Sequence, residues 1–367
     1  MYCPGYRYYP IALFFYFYKG ETLLIHSRNK SKTRGRIMPK IRITLVTLLL
    51  CSIIRVSHSE DVKKDFHESF PAEQGGKIHL EHGDGDVTIR PWSEPIIDVH
   101  VRYEISESGF RLGGERDFDV EFKQRGKDLY IVGREKHASG LVLISSTHRI
   151  YTYEIHAPEW VILELQGDDG EISIEGWQGE ISLHVDDGRV DLRDIENESI
   201  EIRTQDGDVM VRDCRSRLQI YGDDADVELV DVRVDARIRL QDGDIMVRDV
   251  EGPFNIQTDD GDCILDRLKS KEVSVRTSDG DIDLSIREEQ SPDIYITTDD
   301  GSVRLGLPKE LSANINVNTD DGRITVAMPG LDVRDEQRNA FSADMRDGKG
   351  RIRINTSDGD VSIYEER

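Results

Sequence analysis

The amino-acid sequence predicts an all-β protein that is mainly a β-solenoid of roughly ten coils. The first observation is an Asp-Gly pair that recurs at intervals of 18 to 21 residues between Gly170 and Gly322. The second is the alternation of apolar and polar residues on both sides of each pair, and the third is that no window keeps the apolar spacing of a helix. A fixed period with this alternation is typical of solenoids, whose coils supply short strands that stack on one another.

The chain is expected to begin with a segment that is absent from the folded protein. Residues 1–37 are predicted to lie upstream of the true start, with an extended signal or a disordered leader as the alternatives. Residues 38–59 have the basic start, the apolar run and the small residues Ser57 and Ser59 of a cleaved signal peptide. The apolar run has 12 residues, 43–54, whereas a bilayer span needs about 18. The sequence therefore predicts export without a stable transmembrane span.

Residues 60–160 are predicted to form an N-terminal β section. It contains the first copy of the repeat, at residues 78–89. Later in this section the Asp-Gly pair is missing, and apolar and polar residues alternate instead in the runs 97–105, 118–122, 129–132 and 151–155. Such runs, separated by charged or Gly-rich turns, indicate half-buried antiparallel strands that cap the solenoid.

Residues 161–367 are predicted to form the solenoid proper. The residue before the turn glycine is Asp in every copy, and these are Asp84, Asp169, Asp187, Asp206, Asp224, Asp242, Asp260, Asp279, Asp300, Asp321 and Asp358. The positions five before the glycine, and two and four after it, are apolar, which places one face of each strand inside the coil. Residues 329–347 interrupt the period before Gly359 and are predicted to loop out as an insertion.

The turn glycines are expected to adopt a positive φ, because the chain reverses tightly there and Gly does so without steric cost. Ala225 replaces glycine in one copy and is the position where strain is expected. Cys214 and Cys263 fill positions that other copies give to Val, Ile or Leu. They are therefore predicted to be buried small apolar residues, and neither a disulfide nor a zinc site is expected from them.

The array of T-D-D-G-D, T-S-D-G-D and T-D-D-G-R turns resembles a bacterial putative-adhesin family, a domain of unknown function with Asp-Gly repeats. The segment A-P-E-W-V-I-L-E-L before the first regular coil and the closing N-T-S-D-G-D-V-S-I support this resemblance, which covers the chain from about residue 66 onward. The family implies a β-solenoid in an exported or envelope protein with no established activity. It supplies no catalytic residues.

The Asp-Gly turns could also bind calcium, because stacked coils about 4.8 Å apart would carry a ladder of carboxylates. However, the spacing matches neither the nine-residue calcium β-roll nor the EF-hand loop. Like charges about 5 Å apart in water cost roughly 1 kcal/mol. The apolar side chains buried by each coil outweigh this, at roughly 1.5 to 3 kcal/mol apiece before entropy. The turns are thus predicted to serve the fold, with weak calcium binding as the alternative.

The pairs Arg193-Asp194, Arg212-Asp213 and Arg248-Asp249 occupy equivalent places five and six residues after the glycine. We expect them to stack at one corner of the coil and to offset each other's charge, as a solvated edge with modest ion pairs.

A carbohydrate-active β-helix enzyme is the main alternative to a binding protein. Its cleft would need converging acidic or basic residues, whereas the acidic residues here recur in every coil and the histidines lack metal spacing. Motifs of serine hydrolases, P-loop proteins and zinc proteases are absent from the sequence. Trp92, Trp160 and Trp177 are expected to be packing residues, with stacking on sugars as the alternative. No catalytic, cofactor-binding or metal-binding residue is therefore assigned.

The net charge limits the partners. The whole chain has 48 basic and 72 acidic residues, of which the first 59 residues hold ten and one, so residues 60–367 carry 38 − 71, or −33. So acidic a body is expected to repel nucleic acid. The sequence predicts a non-enzymatic adhesin or interaction scaffold of the periplasm or cell surface, whose partner is an envelope protein, surface protein or glycan. A carbohydrate-active enzyme and a calcium-dependent surface-binding protein are the alternatives.

Overall fold

The computed structural model describes residues 61–113, 117–136, 140–287 and 291–366. The predicted leader and signal peptide lie outside these residues, as do Cys3 and Cys51. None of the described residues belongs to a helix with the length and apolar character needed to cross a bilayer.

The described residues form strands joined by turns. In chain order the strands are β1 (Asp61–Pro71), β2 (Lys77–Glu81), β3 (Asp86–Pro91), β4 (Ile96–Gly113), β5 (Asp117–Arg125), β6 (Asp128–Lys136), β7 (Gly140–Ala157), β8 (Ile162–Gly167), β9 (Glu171–Glu175), β10 (Ile181–Val185), β11 (Arg189–Arg193), β12 (Glu196–Thr204), β13 (Val209–Arg212), β14 (Arg215–Tyr221), β15 (Val227–Val230), β16 (Arg233–Arg239), β17 (Ile245–Arg248), β18 (Phe254–Gln257), β19 (Cys263–Leu268), β20 (Glu272–Arg276), β21 (Ile282–Ile286), β22 (Asp293–Thr297), β23 (Val303–Pro308), β24 (Ala313–Thr319), β25 (Ile324–Ala327), β26 (Asp332–Glu336), β27 (Ala340–Met345), β28 (Gly350–Thr356) and β29 (Val361–Glu366).

These strands make two long sheets, and the predicted β-solenoid is confirmed. Sheet 1 has 14 strands in the order β1-β4-β7-β3-β9-β11-β13-β15-β17-β19-β21-β23-β29-β25. Sheet 2 has 15 strands in the order β26-β27-β24-β28-β22-β20-β18-β16-β14-β12-β10-β8-β2-β6-β5. Each Asp-Gly turn carries the chain from a strand of sheet 2 to a strand of sheet 1, and a second corner returns it to sheet 2 in the next coil.

Neighbouring coils pair in parallel and in register. Ile256 on β18, for example, lies opposite Ile238 on β16 and Val275 on β20. Cys263 on β19 lies in the same way between Ile245 and Ile282. Because the repeat keeps an apolar residue at each of these positions, rows of similar apolar side chains stack along the axis.

One continuous apolar core fills the space between the sheets. Strand interiors alternate buried and solvent-facing residues, as in β16, whose pattern follows the two-residue period expected from the sequence. Cys214 and Cys263 belong to this core and are unpaired thiols, which confirms their predicted role as buried apolar residues. Burial raises the pKa of both thiols to about 12, so neither is a reactive thiolate at neutral pH.

The N-terminal section closes one end of the solenoid with the predicted strands. β6 and β7 pair in parallel with β2 and β3 and so form one more coil outside the first Asp-Gly copy. Beyond this coil, β4 and β1 extend sheet 1 and β5 extends sheet 2, all by antiparallel pairing. These strands protect the edges of the parallel sheets, which would otherwise be open for pairing with another chain.

The C-terminal coils are stacked out of chain order. β28 pairs in parallel with both β22 and β24, and β29 pairs with both β23 and β25. The last coil of the sequence is thus wedged between the two coils that precede it. A sequence period shows that coils are alike but does not show which copies touch, so this exchange was not predicted.

The interruption at residues 329–347 supplies the return path for that coil. The sequence predicts that it loops out, whereas it contains the hairpin β26–β27, and β27 pairs antiparallel with β24. The alternation of Phe341, Ala343 and Met345, all buried, explains why this segment joins sheet 2 and covers its end.

Candidate functional site

The Asp-Gly turns are the most repetitive feature of the sequence, but most of their glycines do not have the expected backbone conformation. Among the turn glycines, a positive φ occurs at Gly85, Gly170 and Gly243 only. The prediction that a positive φ selects glycine in each copy is therefore wrong for the others.

Close approach of the coils is what requires glycine. A Cβ placed on Gly280 would lie 1.9 Å from the carbonyl oxygen of Gly261, and one on Gly301 would lie 1.9 Å from that of Gly280. Gly207 has the same relation to Gly188, at 2.0 Å. Each turn glycine thus gives the next coil room to stack on its backbone.

Ala225 is not strained in the expected manner. It lacks a positive φ and is fully buried. Gly222 stands three residues before it, where six other turns carry Thr. A Cβ added to Gly222 would meet the Ala225 methyl at 3.0 Å. The glycine and the larger residue have changed places in this coil, so that the methyl fits inside the corner.

A buried Thr three residues before the glycine holds most of the turns together. At the turn of Gly301, for example, the glycine N–H donates to Thr298 Oγ1 at 3.1 Å. The Thr298 hydroxyl in turn donates to the carbonyl of Ser278 in the preceding coil at 3.2 Å. The residues at this position are Thr204, Thr258, Thr277, Thr298, Thr319 and Thr356, each of which is buried. None of the glycines that follow them has a positive φ.

The Asp that follows the glycine binds backbone. The Oδ1 atom of Asp244 accepts the N–H of Asp262 at 3.0 Å, and Asp262 accepts the N–H of Asp281 at 2.9 Å. Asp226, Asp281 and Asp360 make the equivalent bond to a neighbouring coil at 2.7 to 2.9 Å. These carboxylates satisfy N–H groups that the corner would otherwise leave without a partner in the ladder.

The Asp that precedes the glycine has a different environment. Desolvation, followed by the carboxylates of Asp224 and Asp260, raises the pKa of Asp242. Burial, followed by Asp169, likewise raises the pKa of Asp84 at the first turn. Among the described residues no group of three or more His, Cys, Asp or Glu is arranged to hold a metal ion. Calcium binding at the turns stays an untested alternative.

The two carboxylates of one turn should respond oppositely to substitution. We expect Asp242→Asn to raise the melting temperature slightly at low ionic strength, because a raised pKa means that the folded state disfavours this charge. We expect Asp244→Ala to lower it by an amount equivalent to about 1 kcal/mol, because the N–H of Asp262 loses its acceptor. Thermal unfolding at pH 7 measures both. A loss of stability in Asp242→Asn would contradict the like-charge environment.

The left-handed backbone lies at the opposite corner, six residues after the glycine. Asp194, Asp213, Asp231 and Asp249 have φ of 53° to 54° and Arg267 has φ of 56°. Asp tolerates this region better than most residues because its short side chain bonds locally. A positive φ is thus more regular at this second corner than at the Asp-Gly turns, where three glycines adopt it.

The Arg-Asp pairs do stack at this second corner, but they do not neutralise each other as predicted. Arg212 binds Asp191 at 3.0 Å, on the coil before, and Arg193 binds the same carboxylate at 3.5 Å. Asp249 is paired with Arg267 and with Arg287 (2.9 Å) of later coils. Arg212, Arg267 and Arg287 thus pair with carboxylates of other coils, whereas Arg193 pairs with Asp191 of its own strand.

A half-open cleft of about 410 Å³ lies between the first two Asp-Gly turns and the strands of the N-terminal section. His82, Asp84, Glu135, Tyr151 and Asp168 are among its lining residues. The Tyr151 hydroxyl donates to Glu135, and burial lowers the pKa of His82, which is therefore neutral at pH 7. The ring nitrogens of His82 have no hydrogen-bond partner among the described residues. In this cleft acidic groups of different elements converge, Asp84, Glu135 and Asp168 among them, which the even repeat did not indicate.

The tryptophans lie at corners near this end. Trp177 is fully buried, and its indole N–H donates to the carbonyl of Val161 at 2.8 Å. Trp92 donates in the same way to Ile96 at 2.8 Å, and it lines a shallow groove with Trp160. Trp177 is thus a packing residue, whereas Trp92 and Trp160 keep part of their surface exposed.

The outer surface of sheet 2 includes a patch without carboxylates, which we call the amide–arginine face. It consists of the first and last residues of seven aligned tripeptides, 219–221, 237–239, 255–257, 274–276, 295–297, 353–355 and 316–318, on neighbouring strands from β14 to β24. These positions carry Gln, Asn, Tyr, Ser, Thr and Arg only. The outer positions of sheet 1 carry Asp191, Glu228, Asp266 and Asp283 by contrast.

Four guanidinium groups lie on this face, those of Arg237, Arg239, Arg276 and Arg353, and all are exposed. Arg353 lies 6.0 Å from the ring centre of Tyr295. The sequence alternation alone does not distinguish these polar positions from the others that face solvent. The sequence does contain a sign of this face, since acidic residues are absent from two aligned positions over seven strands in so acidic a chain.

The solved structures compared with this chain include two with adhesin-type names. One is a "putative cell adhesion protein" from Clostridium sporogenes, 11% identical, covering 84% of this chain and 100% of that chain with a TM-score of 0.22. The other is a "putative adhesin" from Bacteroides fragilis, 10% identical, covering 82% of this chain and 97% of that chain with a TM-score of 0.31. Among curated proteins no match was found.

The family model of the Toastrack DUF4097 domain matches residues 75–364. This range contains each Asp-Gly turn, both corners and the amide–arginine face, and it confirms the family resemblance seen in the repeats. The chain belongs to the Toastrack DUF4097 family.

Proposed function

We propose that this protein is an exported, non-enzymatic binding scaffold of the periplasm or cell surface, in the manner of an adhesin. The observation that carries the proposal is that the recurring polar residues of the turns are occupied in holding the coils together. The Thr hydroxyls and the Asp residues after the glycines are bound to backbone between coils. What remains for a partner is the outside of a long, evenly built sheet.

The geometry of such a scaffold suits binding over a distance. Parallel strands lie about 4.8 Å apart, so equal side chains repeat along the axis at that spacing. The two sheets share one core, which holds these rows in fixed positions. Extended surfaces of this kind are what solenoid proteins use to engage long partners. The adhesin-type names of the compared proteins agree with this proposal.

A carbohydrate-active enzyme is the second candidate, and the N-terminal cleft is the observation that favours it. Asp84 has a raised pKa there, as a general acid requires, and Glu135 and Asp168 line the same space. The Glu135 carboxylate is already bound by the Tyr151 hydroxyl and lies 3.4 Å from Arg149. We therefore favour the binding scaffold.

Retention of the purified protein on envelope fractions and on immobilised glycans tests the proposal, with calcium and with a chelator. We expect retention by at least one fraction without release of new reducing ends. Release of reducing ends that Asp84→Asn abolishes would establish the enzyme instead. Absence of retention from every fraction would remove the main support for a binding role.

A further inference from the structure

We propose that the amide–arginine face binds a linear, sparsely charged anionic polysaccharide. This deepens the proposed function and rests on it. Among the described residues, no carboxylate lies within salt-bridge distance of Arg237, Arg239, Arg276 or Arg353, although the neighbouring Arg203 and Arg351 are paired with Glu201 and Asp293. Unpaired guanidinium groups on a flat surface are suited to bind carboxylates through two parallel hydrogen bonds.

The other side chains of the face suit sugar hydroxyls. Its Asn and Gln amides both donate and accept hydrogen bonds, as hydroxyls do. Tyr221 and Tyr295 add ring surfaces, and the Arg203 guanidinium lies 4.9 Å from the ring centre of Tyr221. A shallow groove of about 370 Å³ crosses the face between Gln219 and Ser274.

A protein partner fits this surface less well. Protein interfaces have an apolar, often aromatic centre from which charged residues are depleted. The exposed large apolar side chains of the described residues are Ile150, Met246, Ile264 and Val333, and none of them lies on the face. A hydroxyl-rich polymer needs no such centre.

The charge pattern limits how densely charged the polymer is. Seven strands span about 29 Å, with four Arg along that length. Acidic residues border the face on two sides. The Asp residues of each turn begin two or three positions after the last residue of the face. Asp235 and Glu272 line the groove. A carboxylate on every few sugars can lie over the Arg groups, whereas a continuous polyanion such as nucleic acid would also meet these acidic borders.

The test uses the purified protein and four immobilised polymers, namely hyaluronan, partly methyl-esterified polygalacturonate, neutral dextran and double-stranded DNA. We expect one or both of the first two to bind, with affinity that falls as salt rises, and the other two to bind at least tenfold more weakly. Equal binding of dextran, stronger binding of DNA, or binding of none of the four would overturn the inference.

A triple variant locates the site. Arg237→Gln, Arg239→Gln and Arg276→Gln together should weaken binding at least about tenfold, while the melting temperature stays close to that of the parent because all three side chains are exposed. The matched control changes Arg189, Arg248 and Arg304 of sheet 1 to Gln and should keep binding within about twofold. Equal losses in both variants would show that only net charge matters. If binding to envelope fractions persists in the first variant, the scaffold function stands and this assignment of its surface fails.

Discussion

Gly280→Ala is expected to destabilise the protein by about 3 kcal/mol. The added methyl would lie 1.9 Å from the carbonyl oxygen of Gly261, 2.6 Å from its carbonyl carbon and 3.0 Å from Thr277 Oγ1. Two of these three atoms are backbone of the adjacent coil, which cannot move without disturbing the parallel ladder on either side. The φ of Gly280 is not positive, so the loss comes from contact between coils.

Denaturant unfolding of the parent and the variant measures this effect. Ala225→Gly is the matched control, because the same turn position already holds a methyl there with Gly222 beside it. We expect the control to change the free energy of unfolding by less than about 1 kcal/mol. A Gly280→Ala variant as stable as the parent would mean that the coils are farther apart at this corner than the structure shows.

Removal of residues 350–367 is expected to unfold more than the coil that is deleted. This coil buries Ile352, Ile354, Val361 and Ile363, each worth roughly 1.5 to 3 kcal/mol before the loss of chain entropy. In sheet 2 this coil places β28 between β22 and β24, and in sheet 1 it places β29 between β23 and β25. Neither β22 and β24 nor β23 and β25 are therefore paired directly. Its loss leaves residues 313–349 without a partner coil.

Limited proteolysis measures the consequence. We expect rapid cleavage within residues 313–349 after the deletion, whereas deletion of residues 309–367 should leave a protected core that ends at β23. Protection of residues 313–349 in the shorter deletion would contradict the dependence of this segment on the last coil.

The strands and the core were predictable because each residue's direction follows from a period of two. Ile256 and Cys263 were placed in the core by alignment with their sister copies, and both are fully buried. The wedge of β28 and β29 was not predictable, since copies with the same pattern fit against one another equally well in sequence. Only the length of the segment at residues 329–347 indicates that the chain passes over a neighbouring coil before it forms the last one.

The candidate sites were predicted less completely. Asp242 and Asp244 look equivalent in the D-G-D pattern, yet the pKa of Asp242 is raised among like charges while Asp244 accepts a backbone N–H. The difference depends on which side of the turn faces the next coil. The amide–arginine face was missed for a related reason, because its residues are up to six strands apart and become neighbours only in the stack.

We infer that the acidic turns hold the coils together and that the outer face of sheet 2 is the binding surface. Thermal melting of the purified protein in millimolar calcium and in chelator tests the role of the turns. We expect the same melting temperature in both, because the Asp side chains after the glycines are bound to backbone N–H groups. A rise with calcium that Asp242→Asn removes would contradict it and would make the turns a metal site.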